Sequence, residues 1–382
     1  MWWVIGQFKR RHWVDAGQSD DKKMAQLNKP HCVFVSGGEI YFSDTINHRV
    51  RKVLRNGQIV TICGNGIQGY NGDGQLATNA QLNYPCSVVV SSSDQVYISE
   101  RNRIRKIDRN GVISTIAGNG EEELVNGDGQ LAVNAKLNHP YGIFVTEDEQ
   151  VLFTDRYNNR VRKIDRNGTI STIAEVTNNE TLDNPTSVFQ YKNVVYIADS
   201  GNHRILKMGQ HGNISEIANV RNTIGLPFPI FVYNDELYFT DGIYELLKTP
   251  ITRCENTQTL AGIRKKSGFN GHDMLATQCQ LYVPRGIFVD DDSQIYIADT
   301  YNHCIRRIDQ NGMITTIVGT GQEGYSGDVP FDFKQYPHIG PKKKQLIKPF
   351  PHALYDLIVI CSDVEFHSFN TYEPVTKKIK YQ

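Results

Sequence analysis

Near the end of the chain four short apolar runs follow one another: "GIFV", "QIYIAD", "CIRRID" and "MITTIVG". They are parted by "DDDS", "TYNH" and "QNG". The runs are rich in Ile, Val, Phe, Tyr and Thr, which suit a pleated surface, and the partings carry the residues that tight turns demand. The pattern predicts four short strands in an antiparallel meander. Alternation is imperfect, since "IYIAD" is apolar almost throughout, and this predicts a sheet covered on both faces.

The same four-run unit begins at Lys29, Tyr84, His139, Asn184, Leu226 and Val283. A proline marks each copy at 30, 85, 140, 185, 227 and 284, at intervals of 55, 55, 45, 42 and 57 residues. Four-stranded units at this period, each covered by a neighbour on both sides, predict an all-β fold: a six-bladed β-propeller of four-stranded antiparallel blades. A linear stack would leave two apolar end faces uncapped.

A second phrase punctuates the first. "YNGDGQLATNAQLNYP" at 70–85 returns as "VNGDGQLAVNAKLNHP" at 125–140 and, eroded, as "FNGHDMLATQCQLYVP" at 269–284. It lies between the fourth strand of one unit and the first strand of the next, so it reads as the connection between blades rather than as a ligand loop. Its glycines permit a tight path, and "LATNAQL" predicts a short helical turn covering a sheet edge. The phrase is absent between copies three and four and between four and five, where the interval shortens.

These phrases resemble the NHL-repeat family. "YIADSGNHRILKM" and "YIADTYNHCIRRID" match its core pattern, and "GYNGDGQLATNAQLNYP" is similar to the extended repeats of teneurin-like proteins. The resemblance covers about residues 25–328 and implies the propeller fold. It is less specific for function, because the family includes protein-binding and RNA-binding scaffolds, sensor domains and a lyase. Residues 1–24 read as the remnant of an earlier copy or as a closing strand, with "RHWVDAG" at 11–17 able to pair with the last blade. Residues 329–382 depart from the repeat and read as a tail, a frame slip or a mis-joined exon, and the chain as a possible fragment of a larger protein.

Composition narrows the functional classes. In 382 residues, 39% are apolar and 21% charged, enough to build a core. Lys plus Arg and Asp plus Glu both number 41, a balance that argues against a nucleic-acid or anionic-membrane partner. The longest late apolar run, "ALYDLIVIC", is too short to span a bilayer, and the start lacks the apolar core of a signal peptide. The 7 cysteines are scattered singly with no CxxC pair, which suggests free buried thiols rather than a zinc or redox site.

Candidate chemistry is weighed against repetition. The acid after the second strand recurs as Asp44, Glu100, Asp155, Asp199, Asp241 and Asp299, and a basic residue beyond the turn as Arg49, Arg103, Arg160 and Arg204, with Cys304 in the last copy. A catalytic group is needed once, so recurrence predicts an ion pair within each blade or turn-stabilising hydrogen bonds. His48, His203 and His303 share one position in blades 1, 4 and 6, too far apart to hold one metal ion. The residue after each repeat proline opens the innermost strand, and it varies: His31, Cys86, Tyr141, Thr186, Phe228 and Arg285. A variable ring with aromatic and Arg members is the candidate binding rim at the channel mouth, with ordinary channel packing as the plainer reading.

No GxSxG, HExxH or P-loop occurs, and "GNGIQG" at 64–69 follows a meander instead of opening a βαβ unit. The sequence therefore predicts a non-catalytic interaction or sensing scaffold with no cofactor and a protein or peptide partner. The alternatives are a metal-dependent hydrolase or lyase at the channel, and an RNA-binding NHL domain.

Overall fold

The structure, a computed structural model, describes residues 23–122, 127–177, 180–219, 226–252, 256–329 and 331. Each copy folds as a four-stranded antiparallel sheet whose strands pair in chain order. Blade 1 comprises Pro30–Ser36, Glu39–Asp44, Arg49–Val53 and Ile59–Cys63. Blade 2 comprises Val88–Val90, Val96–Glu100, Arg103–Ile107 and Ile113–Ala117. Blade 3 comprises Pro140–Val145, Val151–Asp155, Arg160–Ile164 and Ile170–Ala174. Blade 4 comprises Pro185–Tyr191, Val194–Asp199, Arg204–Met208 and Ile214–Asn219. Blade 5 comprises Ile230–Tyr233, Glu236–Thr240, Leu246–Pro250 and Gln258–Ala261, and blade 6 Pro284–Val289, Ile295–Asp299, Cys304–Ile308 and Met313–Val318.

The first strands stand around one axis. Each touches the first strand of the blades before and after it, and blade 6 touches blade 1, so the ring of six is closed. Phe144, Phe189, Phe231, Phe288 and Phe34 form a belt through five of these strands, with neighbouring ring centroids 5.5, 5.1, 5.6 and 5.3 Å apart. Such tilted and edge-on contacts add to the burial of each ring. Val89 holds the corresponding place in blade 2. The apolar run "IYIA" of blade 6 is buried along its whole length, as a doubly covered sheet requires. The described cysteines Cys32, Cys63, Cys86, Cys279 and Cys304 are free and buried, while Cys254 and Cys361 lie outside the described residues.

The glycine-rich phrase is a linker that wraps the next blade. Gly74 N–H donates to Ile113 O (2.8 Å), Ile113 N–H to Gln75 O (3.0 Å) and Ala77 N–H to Gly111 O (2.8 Å), so residues 74–77 lie along the outer strand of blade 2. The same bonds join Gly129, Gln130 and Ala132 to blade 3. Met274–Leu275 pairs with the outer strand of blade 6. A 3-10 turn follows each time, at Ala77–Asn79, Ala132–Asn134 and Ala276–Gln278. An outer strand would otherwise present unpaired backbone groups to any passing strand, and the linker occupies them. Gly64, which opens the first linker, has φ +91°, and a Cβ there would meet His48 O at 2.2 Å. Close backbone approach explains the glycine, with no ligand required.

The ring closes through a sixth linker in two pieces. Residues 319–329 supply its first part and residues 23–29 its last. Thr320 N–H donates to Ala25 O (3.1 Å), as Asn65 N–H does to Ala80 O (2.8 Å). Val329 N–H donates to Ile59 O (2.9 Å), the counterpart of the Gly74 to Ile113 bond. Phe331 packs partly buried against the core, with Lys52 Nζ 5.3 Å from its ring centroid. All four strands of blade 6 come from its own copy. The closing strand expected at 11–17 lies outside the described residues.

Candidate functional site

The recurring acids are structural anchors. Asp44 accepts hydrogen bonds from Asn28 N–H (2.7 Å), Asn47 Nδ2 (2.9 Å) and Arg51 Nη1 (3.1 Å). Asp155 and Asp299 repeat this with Asn138, Asn158 and Arg162, and with Tyr282, Asn302 and Arg306. Glu100 accepts from Asn83 N–H and Arg105. Burial pushes the carboxyls of Asp44, Glu100, Asp155 and Asp199 upward, and Asp299 up to about 6, against the pull of the neighbouring guanidinium.

The intrablade pairing holds, but its basic partner is corrected. The arginine at the start of the third strand meets the acid only in blade 4, where Arg204 Nε lies 2.7 Å from Asp199. Arg49 and Arg103 turn to the linker carbonyls of Asn65 and Asn119, and Arg160 to Glu175. In blades 1, 2, 3 and 6 the partner is the arginine two residues further on: Arg51, Arg105, Arg162 or Arg306. The alternation "RVR" or "RIR" puts both arginines on one face. Only the linker decides between them, because the second arginine also binds it: Arg51 to Asp328, Arg105 to Asp73 and Arg162 to Asp128, each at 2.7 Å, and Arg306 to Gly271 O.

The shared histidines link blades. His48, His203 and His303 adopt left-handed conformations (φ 51°, 55° and 51°) that close a 3-10 turn, a place Asn159 takes in blade 3. His48 Nδ1 accepts from Tyr84 N–H of the next blade, and His303 Nδ1 from Lys29 N–H, both at 3.3 Å. Burial lowers the affinity of both imidazoles for a second proton.

The six variable residues gather where the innermost strands begin, and all are buried: His31, Cys86, Tyr141 and Thr186 are 0% exposed, Arg285 2% and Phe228 3%. The structure brings three of them together. Arg285 Nη1 lies 3.2 Å from His31 Nε2, and its guanidinium carbon 5.8 Å from the Phe228 ring centroid. A guanidinium can only donate, so the imidazole accepts. Tyr141 stacks with His139 and lies 5.2 Å from the Arg156 guanidinium carbon. Thr186 Oγ1 is hydrogen-bonded to Ser200, and Cys86 gives its carbonyl to Ser43 Oγ (2.8 Å) of blade 1.

Sequence reasoning missed a second ring. The residue after each second-strand acid is Thr45, Arg101, Arg156, Ser200, Gly242 or Thr300. Thr45, Ser200 and Thr300 bind the repeat-proline carbonyl of the next blade, at Pro85, Pro227 and Pro30. Where the hydroxyl is replaced by Arg156, a cation enters beside Tyr141 and the exposed Tyr157. The signal was available, since this position holds four residue types among the six copies: Thr, Arg, Ser and Gly.

The family model of the teneurin NHL domain matches residues 63–126, 120–191 and 161–334. The chain belongs to this NHL-repeat family. Among its relatives, Protein SUPPRESSOR OF QUENCHING 1, chloroplastic, of Arabidopsis thaliana is 27% identical over 300 residues, covering 75% of this chain and 25% of that protein. NHL repeat-containing protein 2 of Gallus gallus is 24% identical over 337 residues, covering 80% and 42%. Teneurin-m of Drosophila melanogaster is 33% identical over 95 residues, 22% of this chain and 4% of that one. The chain thus spans less than half the length of each of these relatives. Among solved structures, a streptogramin B lyase superposes with TM-score 0.52 at 15% identity, over 81% of this chain and 85% of that one. A gluconolactonase from Xanthomonas campestris does so with TM-score 0.52 at 14% identity, over 76% and 87%. At such identities the likeness is one of fold. Among the described residues, no helix is long and apolar enough to cross a membrane.

Proposed function

We propose that this NHL propeller is a non-catalytic interaction module that engages a protein or peptide at the end of its axis where the innermost strands begin. The observation that carries the reading is a contrast within the chain. Groups that recur from blade to blade, the acids, strand arginines and turn histidines, bind backbone and linker. At the axial end each blade contributes something different. Two arginines, Arg156 and Arg285, sit there among Tyr141, Tyr157, Phe228 and Tyr301. Aromatic and Arg side chains clustered near a centre are the composition of binding hot spots. The buried members set the floor of the surface, the exposed Tyr157 stands beside Arg156 at its margin, and the exposed Arg101, paired with Glu122, holds the equivalent position in blade 2.

The test selects peptides by phage display on the whole protein and measures the best of them against Tyr157→Ala/Arg101→Ala. These side chains are exposed, so the melting temperature holds. Affinity is expected to fall roughly tenfold or more, about 1.4 kcal/mol. Unchanged affinity for every selected peptide would sink the reading.

A further inference from the structure

Among the described residues, a linker wraps the outer strand of four blades: 1, 2, 3 and 6. Among the described residues, no segment pairs with the outer edge of blade 4 or blade 5. The third-strand arginine follows the same division. Arg51, Arg105, Arg162 and Arg306 stand opposite Thr61, Thr115, Thr172 and Thr316 in the wrapped blades. In the bare blades that position is Leu206, opposite Glu216, and Leu247, opposite Thr259.

Blade 4 nonetheless keeps the sequence that receives a linker. The wrapped edges offer the N–H and C=O of one isoleucine and the C=O of the glycine two residues before it, as at Ile113 and Gly111. Blade 4 has Ile214 and Gly212 in these places, in "GNISEIA" against "GVISTIA" of blade 2. Blade 5 has Thr257 at the isoleucine position. The linker keeps Ile59, Ile113, Ile170 and Ile314 at 1% exposure or less, whereas Ile214 is half-buried and Gly212 exposed. The edge therefore keeps the backbone groups that receive an extended segment elsewhere, and none of the described residues covers them.

Its charge is inverted relative to the wrapped edges. There, the linker carboxylate of Asp73 binds the Arg105 guanidinium and the Thr115 N–H. In blade 4 the guanidinium is gone, and the exposed carboxylate of Glu216 faces the place the aspartate would take. An acidic segment is repelled there, and a basic one is attracted.

We propose that the outer edge of blade 4, centred on Gly212 and Ile214, docks an extended segment of a partner protein with lysine or arginine where this chain's linkers carry aspartate. The segment adds as a strand: backbone bonds to Gly212 and Ile214 supply the affinity, and Glu216 selects the base. This site is separate from the axial end and does not depend on it.

The probe is a pair of labelled, capped heptapeptides, GKGQLAT and GDGQLAT, the second being this chain's own linker sequence at 72–78 with its glycine start. Fluorescence anisotropy on the full chain is expected to show the lysine peptide binding roughly tenfold more tightly or better. Glu216→Arg reverses the order. Ile214→Pro removes an N–H that points away from the blade and abolishes both bindings, whereas Ile214→Ala, which loses the same side chain but keeps that N–H, still binds the lysine peptide more tightly. Equal affinities, an order unaffected by Glu216→Arg, or no binding up to about 1 mM (about 4 kcal/mol) overturn the proposal. So does sedimentation showing a dimer that Ile214→Pro dissolves, because the edge would then belong to a second copy.

Discussion

Blades 2 and 4 follow one plan with the outer edge treated in opposite ways. In blade 2 the buried Arg105 binds Glu100 inside the sheet and Asp73 on the linker beyond it. In blade 4 Leu206 fills the position, and Asp199 takes its cation from Arg204, 7% exposed at the strand's start. A guanidinium has five donors, and burying it is favourable only when they are met. A wrapped blade meets the terminal nitrogens from both sides, with the acid inside the sheet and the linker beyond it; a bare blade lacks the second set of acceptors and buries a leucine instead. The buried arginine and the linker are thus one device, present or absent together.

This pairing can be broken most severely at the arginine. Arg105→Leu leaves Glu100, 1% exposed, without its cation, and a loss of roughly 3–5 kcal/mol is expected in urea unfolding. Arg51→Leu is expected to cost at least as much, because Arg51 binds Asp328 and Gln26 O in the two separate parts of the closing linker. A loss under about 1 kcal/mol at both would refute the shared-device view.

The next comparison is between equivalent isoleucines. Ile113→Ala removes a fully covered side chain and should cost about 2–5 kcal/mol, while Ile214→Ala, half-buried, should cost about 1 kcal/mol. Equal losses would mean that blade 4 is covered after all.

A pH series sharpens the picture for the acids. Burial pushes Asp299 up to about 6, above its unfolded value near 4, so the folded state keeps a proton that the unfolded chain releases earlier. The stability this contributes is complete below about pH 4 and is lost as the pH rises through about 6. The stability of the parent protein relative to Asp299→Asn should decline across that window, read by urea unfolding at half-unit steps. A flat difference would contradict the assigned burial.

The smallest effect is expected at Asp73, whose side chain is 38% exposed. Asp73→Asn should cost about 1 kcal/mol or less. Its trace should be local, as faster hydrogen exchange at the Gly74 and Ala77 amides that hold the linker to blade 2. Uniform exchange with the parent would separate Asp73 from linker docking.

The repeats, the blade count and the role of the glycine phrase could be read from the chain because each follows from local periodicity and recurs. The acid's partner could not, because Arg49 and Arg51 share a face and the choice depends on a linker arriving from the neighbouring blade. The ring of His31, Cys86, Tyr141, Thr186, Phe228 and Arg285 lies where the innermost strands begin. Its burial was not legible, since it depends on how six side chains from distant copies meet at the axis. Leu206 and Leu247 carry no signal of their own, because what sets them apart is the linker that wraps the arginine-bearing blades.

The two-part linker has a geometric consequence for anything joined to this propeller. Residues 23–29 and 319–329 run together along the flank of blade 1, held by Arg51 and by the backbone bonds between them. Chain entering the ring and chain leaving it do so at neighbouring points on the perimeter, away from the axis. Domains threaded before and after it would be brought side by side, and the ring would act as a bead tied into a cord by a single knot.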